Sequence, residues 1–130
     1  MQSSLSVNGV QPNFQATVSK HFIKEAQKTM DLKMKNSDIA ERFEKKVADF
    51  KDYGYDEYYI KYIKKDIDGK RFHQLIAVRP GMDDSEGAVL TSKDQFRKAI
   101  EKFTHITKYE FTKKMESFNQ KRFVKTTAGV

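Results

Sequence analysis

The stretch that decides the fold runs from Tyr55 to Arg79 and reads YDEYYIKYIKKDIDGKRFHQLIAVR. On both sides of its centre most residues are β-branched or aromatic, and such residues favour strands because they pack well on a pleated surface. The centre, residues 66–70, contains Gly69, which supplies the positive φ of a tight turn. The stretch therefore predicts an antiparallel β-hairpin in the middle of the chain.

Two registers fit this hairpin. A two-residue loop pairs Tyr59 with Val78 and sets apolar against charged side chains. A three-residue loop with its glycine in a bulge pairs Tyr58 with Val78 and Ile60 with Ile76, and it collects the apolar residues on one face. Because a buried face fixes the register of a strand, we predict the second register. Its opposite, mixed face then carries Tyr59, Lys61, Ile63, Lys65, Arg71, His73, Leu75 and Ala77.

Apolar residues recur at helical spacing on both sides of the hairpin. They predict helices over residues 16–33 and 38–51 before it, and over 92–103 and 108–121 after it. The last two begin at capping boxes, Ser92 with Gln95 and Thr107 with Glu110. Two alternatives remain open. Residues 106–111 also alternate like a strand, and residues 88–90 form either a third short strand or a lead-in to the next helix.

These elements predict the α+β fold class, because an isolated hairpin is marginally stable in water and needs helices on its apolar face. We expect a central antiparallel β-hairpin, with a third short strand as an option, packed against two N-terminal and two C-terminal helices. A chain of 130 residues is of single-domain length. We expect a flexible N-terminal arm at residues 1–13, one α+β domain at 14–121 and a basic C-terminal tail at 122–130.

Composition excludes several classes of protein. The chain has no cysteine, which excludes disulfides, thiolate metal sites and thiol catalysis. No stretch approaches the roughly 20 apolar residues of a membrane helix, and the first residues do not form a signal peptide. We therefore expect no membrane association and a cytoplasmic protein.

No catalytic motif is present. The sequence contains no phosphate loop, dinucleotide fingerprint, nucleophile elbow or zinc-protease helix, and its three histidines are not paired at helical spacing. We predict no catalytic residue, no metal and no cofactor. The alternative is a small enzyme, or a subunit of one, with a site around His73 as general base.

The distribution of charge has functional content. The net charge is +7, and residues 92–130 hold ten basic and four acidic side chains. Phosphate backbones and acidic protein surfaces attract such clusters. We predict a small basic non-enzymatic binding module for an acidic partner, nucleic acid or protein, acting as an inhibitor or adaptor. The predicted contacts are Lys98, Lys102, Lys113, Lys114, Lys121 and Arg122, together with an aromatic and basic hairpin face of Tyr59, Lys61, Arg71 and His73.

Overall fold

The computed structural model describes residues 17–35 and 37–128, with side chains up to Lys121. Within these residues, four α-helices flank a three-stranded antiparallel sheet of order β1-β2-β3, which confirms the predicted α+β class. Two helices precede the hairpin and two follow it, also as predicted. In chain order the elements are α1 (Lys20–Lys33), α2 (Ile39–Asp49), β1 (Tyr59–Ile67), β2 (Lys70–Val78), β3 (Ala88–Val89), α3 (Phe96–Thr104) and α4 (Lys108–Ala128).

The first two helices begin and end where local chemistry dictates. Ser19 caps α1, since its Oγ accepts a hydrogen bond of 3.2 Å from the backbone N–H of Phe22. Helix α2 tightens into a 3₁₀ turn, Phe50–Asp52, and the chain then reverses at Gly54, whose φ of +87° suits glycine. The two helices therefore lie close to their predicted bounds.

The hairpin adopts the register that we did not predict. Tyr59 pairs with Val78, and the strands are joined by the two-residue turn of Asp68 and Gly69. Both turn residues have positive φ, 51° for Asp68 and 78° for Gly69. This is the pattern of a type I′ turn, whose twist matches the twist of the flanking strands. The predicted three-residue loop is therefore wrong.

The observed register changes which side chains share a face. Ile60 pairs with Ala77 on the inner face, which packs against the helices, whereas its predicted partner Ile76 lies on the outer face with Val78. The prediction failed because it assumed that only one face of the hairpin is buried. Ile76 and Val78 were expected on the apolar face with Ile60, but they are buried on the opposite face beside Tyr59 and Lys61, at 1% and 0% exposure.

The segment between β2 and β3 buries the outer face. It contains a 3₁₀ turn, Asp84–Glu86, and its backbone at Gly87 passes so near the sheet that an added Cβ would lie 2.6 Å from Cγ1 of Val78. The Nζ of Lys61 donates to both carboxylate oxygens of Asp84 at 3.0 Å, which fastens the turn to β1.

The third strand, left open by the sequence, is present and pairs with β2. Beyond β3 the chain bulges over residues 91–93. It meets β2 again where His73 and Asp94 exchange backbone hydrogen bonds of 2.6 and 2.9 Å. Within the bulge, Oγ1 of Thr91 accepts from the backbone N–H of Leu75 at 3.1 Å, in place of a strand carbonyl.

The two C-terminal helices differ in how well their starts were predicted. Helix α3 begins at Phe96 without a side-chain cap, so the predicted box of Ser92 with Gln95 is wrong. The box of Thr107 with Glu110 is confirmed, because each side chain accepts from the other residue's backbone N–H, at 3.1 and 3.2 Å. Within residues 106–111, helix α4 begins at Lys108, and the strand alternative is wrong.

The predicted ends of the chain are only partly described. The expected arm, residues 1–13, lies outside the described residues. The expected tail, residues 122–130, begins inside α4, whose backbone is helical as far as Ala128.

An aromatic cluster fills the space between the helices and the inner face. The ring centroid of Phe103 lies 4.9–5.4 Å from the ring centroids of Phe22, Phe43 and Phe50. Aromatic rings prefer offset and edge-on contacts at such distances. The remaining buried core residues that join this cluster include Val18, Ala26, Met30, Ile39, Tyr58, Ile60, Tyr62, Leu75, Ala77, Leu90, Ile100, Ile106, Phe111 and Met115.

Candidate binding surfaces

A groove between β3 and α4 brings three of the predicted lysines together. Lys113, Lys114 and Lys121 line it with Ser117, and it encloses about 440 Å³. On the β3 side, the side chain of Val89 is 53% exposed. We call this surface the lysine groove. Residues four apart on a helix lie on the same face, so α4 places Lys113, Ser117 and Lys121 in one row.

These three lysines have no close ion-pair partner among the described side chains, since none of the three forms an ion pair within 4.0 Å there. Lys113 instead lies over the ring of Tyr109, with 5.6 Å between its Nζ and the ring centroid, and that ring is 71% exposed. The lysine groove therefore presents three lysines, without a close ion pair among the described side chains, beside exposed aromatic and aliphatic side chains.

Two further predicted contacts, Lys98 and Lys102, belong to α3. They line an adjoining groove of about 660 Å³, which shares Lys114 and Val89 with the lysine groove. Lys102 is engaged there, because its Nζ donates to the carboxylate of Asp94 and, at 2.6 Å, to Oγ of Ser92. Lys98 has Glu101 at 3.9 Å. The adjoining groove is therefore less positive than the lysine groove. Arg122 follows Lys121 in α4, but its side chain lies outside the described residues.

The predicted hairpin face does not form as one surface. In the observed register, Tyr59 and Lys61 lie on the outer face, whereas Arg71 and His73 lie on the opposite face. Arg71 pairs with Asp66 at 3.0 Å near the exposed tip of the hairpin. The four residues therefore do not share the aromatic and basic hairpin face that the predicted register gave them.

Comparisons with protein-family models, with curated proteins and with solved structures find no match for this chain. The surfaces must therefore be interpreted from their own chemistry.

His73 lies in an aromatic environment at the inner face. Its ring centroid is 4.8 Å from that of Phe96 and 5.4 Å from that of Tyr62, and its Nδ1 is buried with no hydrogen-bond partner among the described atoms. Burial lowers the pKa of His73, and the nearby positive charges of Lys64 and Arg71 lower it further. The imidazole is therefore neutral at pH 7. No described carboxylate bonds to it, so it has no partner that would orient it as a catalytic base.

A contact that the sequence did not indicate lies next to His73. The hydroxyl of Tyr62 is 3.0 Å from Nε2 of His21, and the two rings stack at 5.5 Å. Burial raises the pKa of Tyr62, and the carboxylate of Glu25 adds to this effect. Since His21 and Tyr62 are 41 residues apart, no spacing rule could have paired them.

Two properties of the described residues concern metal binding and membrane insertion. No group of three or more histidine, aspartate or glutamate side chains there could hold a metal ion. No helix there is long and apolar enough to cross a membrane.

Proposed function

We propose that the protein is a non-enzymatic binding module that holds an acidic macromolecule, nucleic acid or an acidic protein surface, in the lysine groove. One observation carries the proposal: Lys113, Lys114 and Lys121 converge on one groove without an ion pair among the described side chains. Lysines that only solvate a surface are usually interspersed with acidic partners, as they are in α2. An inhibitor or adaptor of the cytoplasm would use such a surface to recognise its target.

Nucleic acid fits the groove for a physical reason. Each lysine that neutralises a phosphate releases a condensed counterion, so affinity comes mainly from charge and falls with salt. Exposed Tyr109, at the N-terminal end of the same helix, offers a ring on which a base can stack. An acidic protein surface would gain less from counterion release and would need a defined shape.

The test is a salt titration of binding to labelled, random-sequence DNA and RNA, read by fluorescence anisotropy. We expect a log–log slope of about −0.9 per phosphate contact on duplex, or about −0.7 on single strands. Replacing Lys113, Lys114 and Lys121 by glutamine should flatten the slope by about two to three units. It should not change the melting temperature by more than a few degrees, since all three side chains are exposed.

A matched control removes the same charge elsewhere. Lys24, Lys33 and Lys35 are exposed, and none forms an ion pair among the described side chains. They belong to α1 and the turn after it, and they do not line the lysine groove. Replacing these three by glutamine should leave most of the slope intact. Equal flattening by both triple variants would show that net charge, and not the groove, attracts the polyanion.

The protein-partner form of the proposal gives a different result. Oligonucleotide binding would then be undetectable at about 50 mM salt. A pull-down from the native host would retain one partner at a defined stoichiometry after nuclease treatment, and the groove variant would lose it. If neither oligonucleotides nor such a partner bind, the proposed function is wrong.

A further inference from the structure

The outer edge of β1 carries backbone groups that point away from the sheet. Residues of an antiparallel strand direct their N–H and C=O groups alternately to the neighbouring strand and away from it. The backbone N–H of Ile60 donates to the carbonyl of Thr17 at 2.9 Å, and the carbonyl of Ile60 accepts from the N–H of Ser19 at 2.7 Å. The backbone groups of Ile60 are therefore directed to the outer edge of β1, away from β2. By alternation, Tyr62 and Lys64 point the same way.

Among the described residues, only the beginning of this edge is paired. Residues 17–19 run parallel to β1 as an extended segment with a single bridge between Val18 and Ile60, and the chain then leaves the edge because α1 begins at Lys20. Beyond Ile60, no backbone hydrogen bond to the outward groups of Tyr62, Lys64 or Asp66 is present among the described residues. The protein thus already pairs one extended segment with this edge, and the described residues leave the rest of the edge unpaired.

The open part of the edge is positively charged. Lys64 and Lys65 are exposed and form no ion pair with any described side chain, while Lys61 is partly neutralised by Asp84. A groove of about 680 Å³ runs beside the edge, and half-buried Ile63 and Tyr59 contribute apolar surface to it. The unpaired backbone groups favour an extended segment, and the two lysines favour an acidic one.

We propose that residues 62–66 of β1 bind an extended acidic segment of another polypeptide as an additional strand. The backbone of the segment would bond to the outward N–H and C=O groups of Tyr62 and Lys64. Its carboxylates would pair with Lys64 and Lys65. In such strand addition the main chain supplies affinity and the alternating side chains supply specificity.

Charge disfavours two other occupants. A second copy paired antiparallel through the same edge would place Lys64 beside Lys64, and like charges directly opposite in a sheet are destabilising. Residues 1–16 of this chain contain no charged side chain, so they offer nothing to the lysines. An acidic segment from another protein would bond to the unpaired backbone groups and would also pair with the lysines.

The probe is a capped heptapeptide, Thr-Glu-Glu-Thr-Thr-Glu-Glu, which carries glutamate on both faces of an extended strand because Lys64 and Lys65 lie on opposite faces. Its counterpart has lysine in place of glutamate. Threonine favours the extended conformation, and the two peptides differ only in the sign of charge. On ¹⁵N-labelled protein at about 150 mM salt, where charges more than about 8 Å apart are largely screened, we expect the glutamate peptide to bind. It should slow amide exchange at Tyr62 and Lys64 but not at Lys61 or Ile63, whose N–H groups already bond to β2. We expect the lysine peptide not to bind.

Two substitutions at one position separate the contribution of backbone hydrogen bonding to peptide affinity from the contribution of charge. Lys64→Thr removes the charge and keeps the outward N–H. Lys64→Pro removes both, and proline is tolerated on an edge strand where the lost N–H faces solvent. We expect Lys64→Thr to weaken the glutamate peptide a few fold and Lys64→Pro to weaken it about tenfold more, since one lost hydrogen bond leaves its partner unpaired.

The outcomes are distinct. Equal affinities of the two Lys64 variants, or binding without alternate protection at Tyr62 and Lys64, would overturn the proposal, as would equal binding of the lysine peptide. If Lys64→Pro does not fold, the exchange pattern of the unsubstituted protein decides alone. The glutamine variant of the lysine groove should bind the glutamate peptide normally at about 150 mM salt, where screening separates the two surfaces. Failure of this proposal therefore leaves the proposed function intact, and the reverse also holds.

Discussion

The close passage of Gly87 over the outer face of the sheet predicts that one added methyl group will destabilise the protein. Gly87 has φ −74° and ψ 162°, which any residue adopts, so Gly87→Ala introduces no backbone strain. Its Cβ would lie 2.6 Å from Cγ1 of Val78 and 3.0 Å from the carbonyl oxygen of Ala77, well inside ordinary contact distance. Val78 is fully buried and Ala77 belongs to the strand ladder, so neither can move away freely.

Overpacking of this kind costs about 1–3 kcal/mol in free energy of unfolding. For a domain of this size that is a fall of about 4–12 °C in melting temperature. Urea unfolding followed by circular dichroism at 25 °C measures it directly. Gly81→Ala is the control, since no atom lies within 4 Å of its added Cβ. It should cost about 1–2 kcal/mol, because at Gly81, with φ +85°, a Cβ is disfavoured.

A double-mutant cycle tests the cause. Val78→Ala removes the methyl group that the new Cβ meets, at a cost of about 2 kcal/mol. In that background Gly87→Ala should cost less than it does alone, by about 0.5–2 kcal/mol. Gly81→Ala should cost the same in both backgrounds. Additivity of Gly87→Ala and Val78→Ala within error would refute the account of how the outer face is buried.

Three further predictions concern the core, the helix cap and the half-buried His73. Ile60→Ala should cost about 2–4 kcal/mol in urea unfolding because Ile60 is 1% exposed, whereas Lys61→Ala should cost less than about 1 kcal/mol because its ion pair with Asp84 is partly solvated. Equal costs would contradict the assignment of faces. Thr107→Ala should cost about 1 kcal/mol, since it removes the side-chain acceptor at the start of α4; a serine variant should retain most of that stability. The folded pKa of His73 lies below its unfolded value of about 6.5, so the unfolded chain binds the proton more readily, and stability should fall as the pH drops from about 6.5 through the folded pKa. His73→Gln should reduce that fall between pH 7 and pH 5, and an unchanged profile would show that His73 does not cause it.

Most of the fold could be predicted because local patterns and tertiary packing agree. The helices follow apolar spacing, and the box of Thr107 with Glu110 marks the start of α4. The register could not be obtained from alternation, since alternation identifies a face only when the other face is solvated. Here both faces of the last part of β2, residues 75–78, are buried, one by helices and the other by the segment through Gly87. The dipeptide Asp68-Gly69 indicates the observed register, because the geometry of a two-residue turn depends mainly on the residues in the turn.

The candidate site could be predicted only as a region. Counting charges located the positive C-terminal part of the chain, but it could not show that Lys102 is engaged by Asp94 while Lys114 has no ion pair among the described side chains. That difference depends on distances between separate elements. The predicted hairpin face failed for a simpler reason, because an error of one residue in register moves His73 to the face opposite Lys61.

The two proposed surfaces lie beside opposite edge strands of one narrow sheet, and this affects how they must be tested. The first belongs to β1 and the lysine groove lies between β3 and α4, and the backbones of β1 and β3 alone are two strand spacings, about 10 Å, apart. That spacing exceeds the Debye length at physiological salt, about 8 Å, and is much shorter than the length at low salt, about 30 Å at 0.01 M. At low salt, the lysine groove and the lysines of β1 therefore act on any acidic ligand as one positive field. Substitutions at either surface would then weaken both kinds of binding.

Only at about 150 mM salt or above does screening separate the two surfaces, so specific contacts at one surface should become independent of charge at the other. If coupling between the groove variant and the Lys64 variants persists at high salt, one ligand spans both edges and the assignment of two separate sites is wrong.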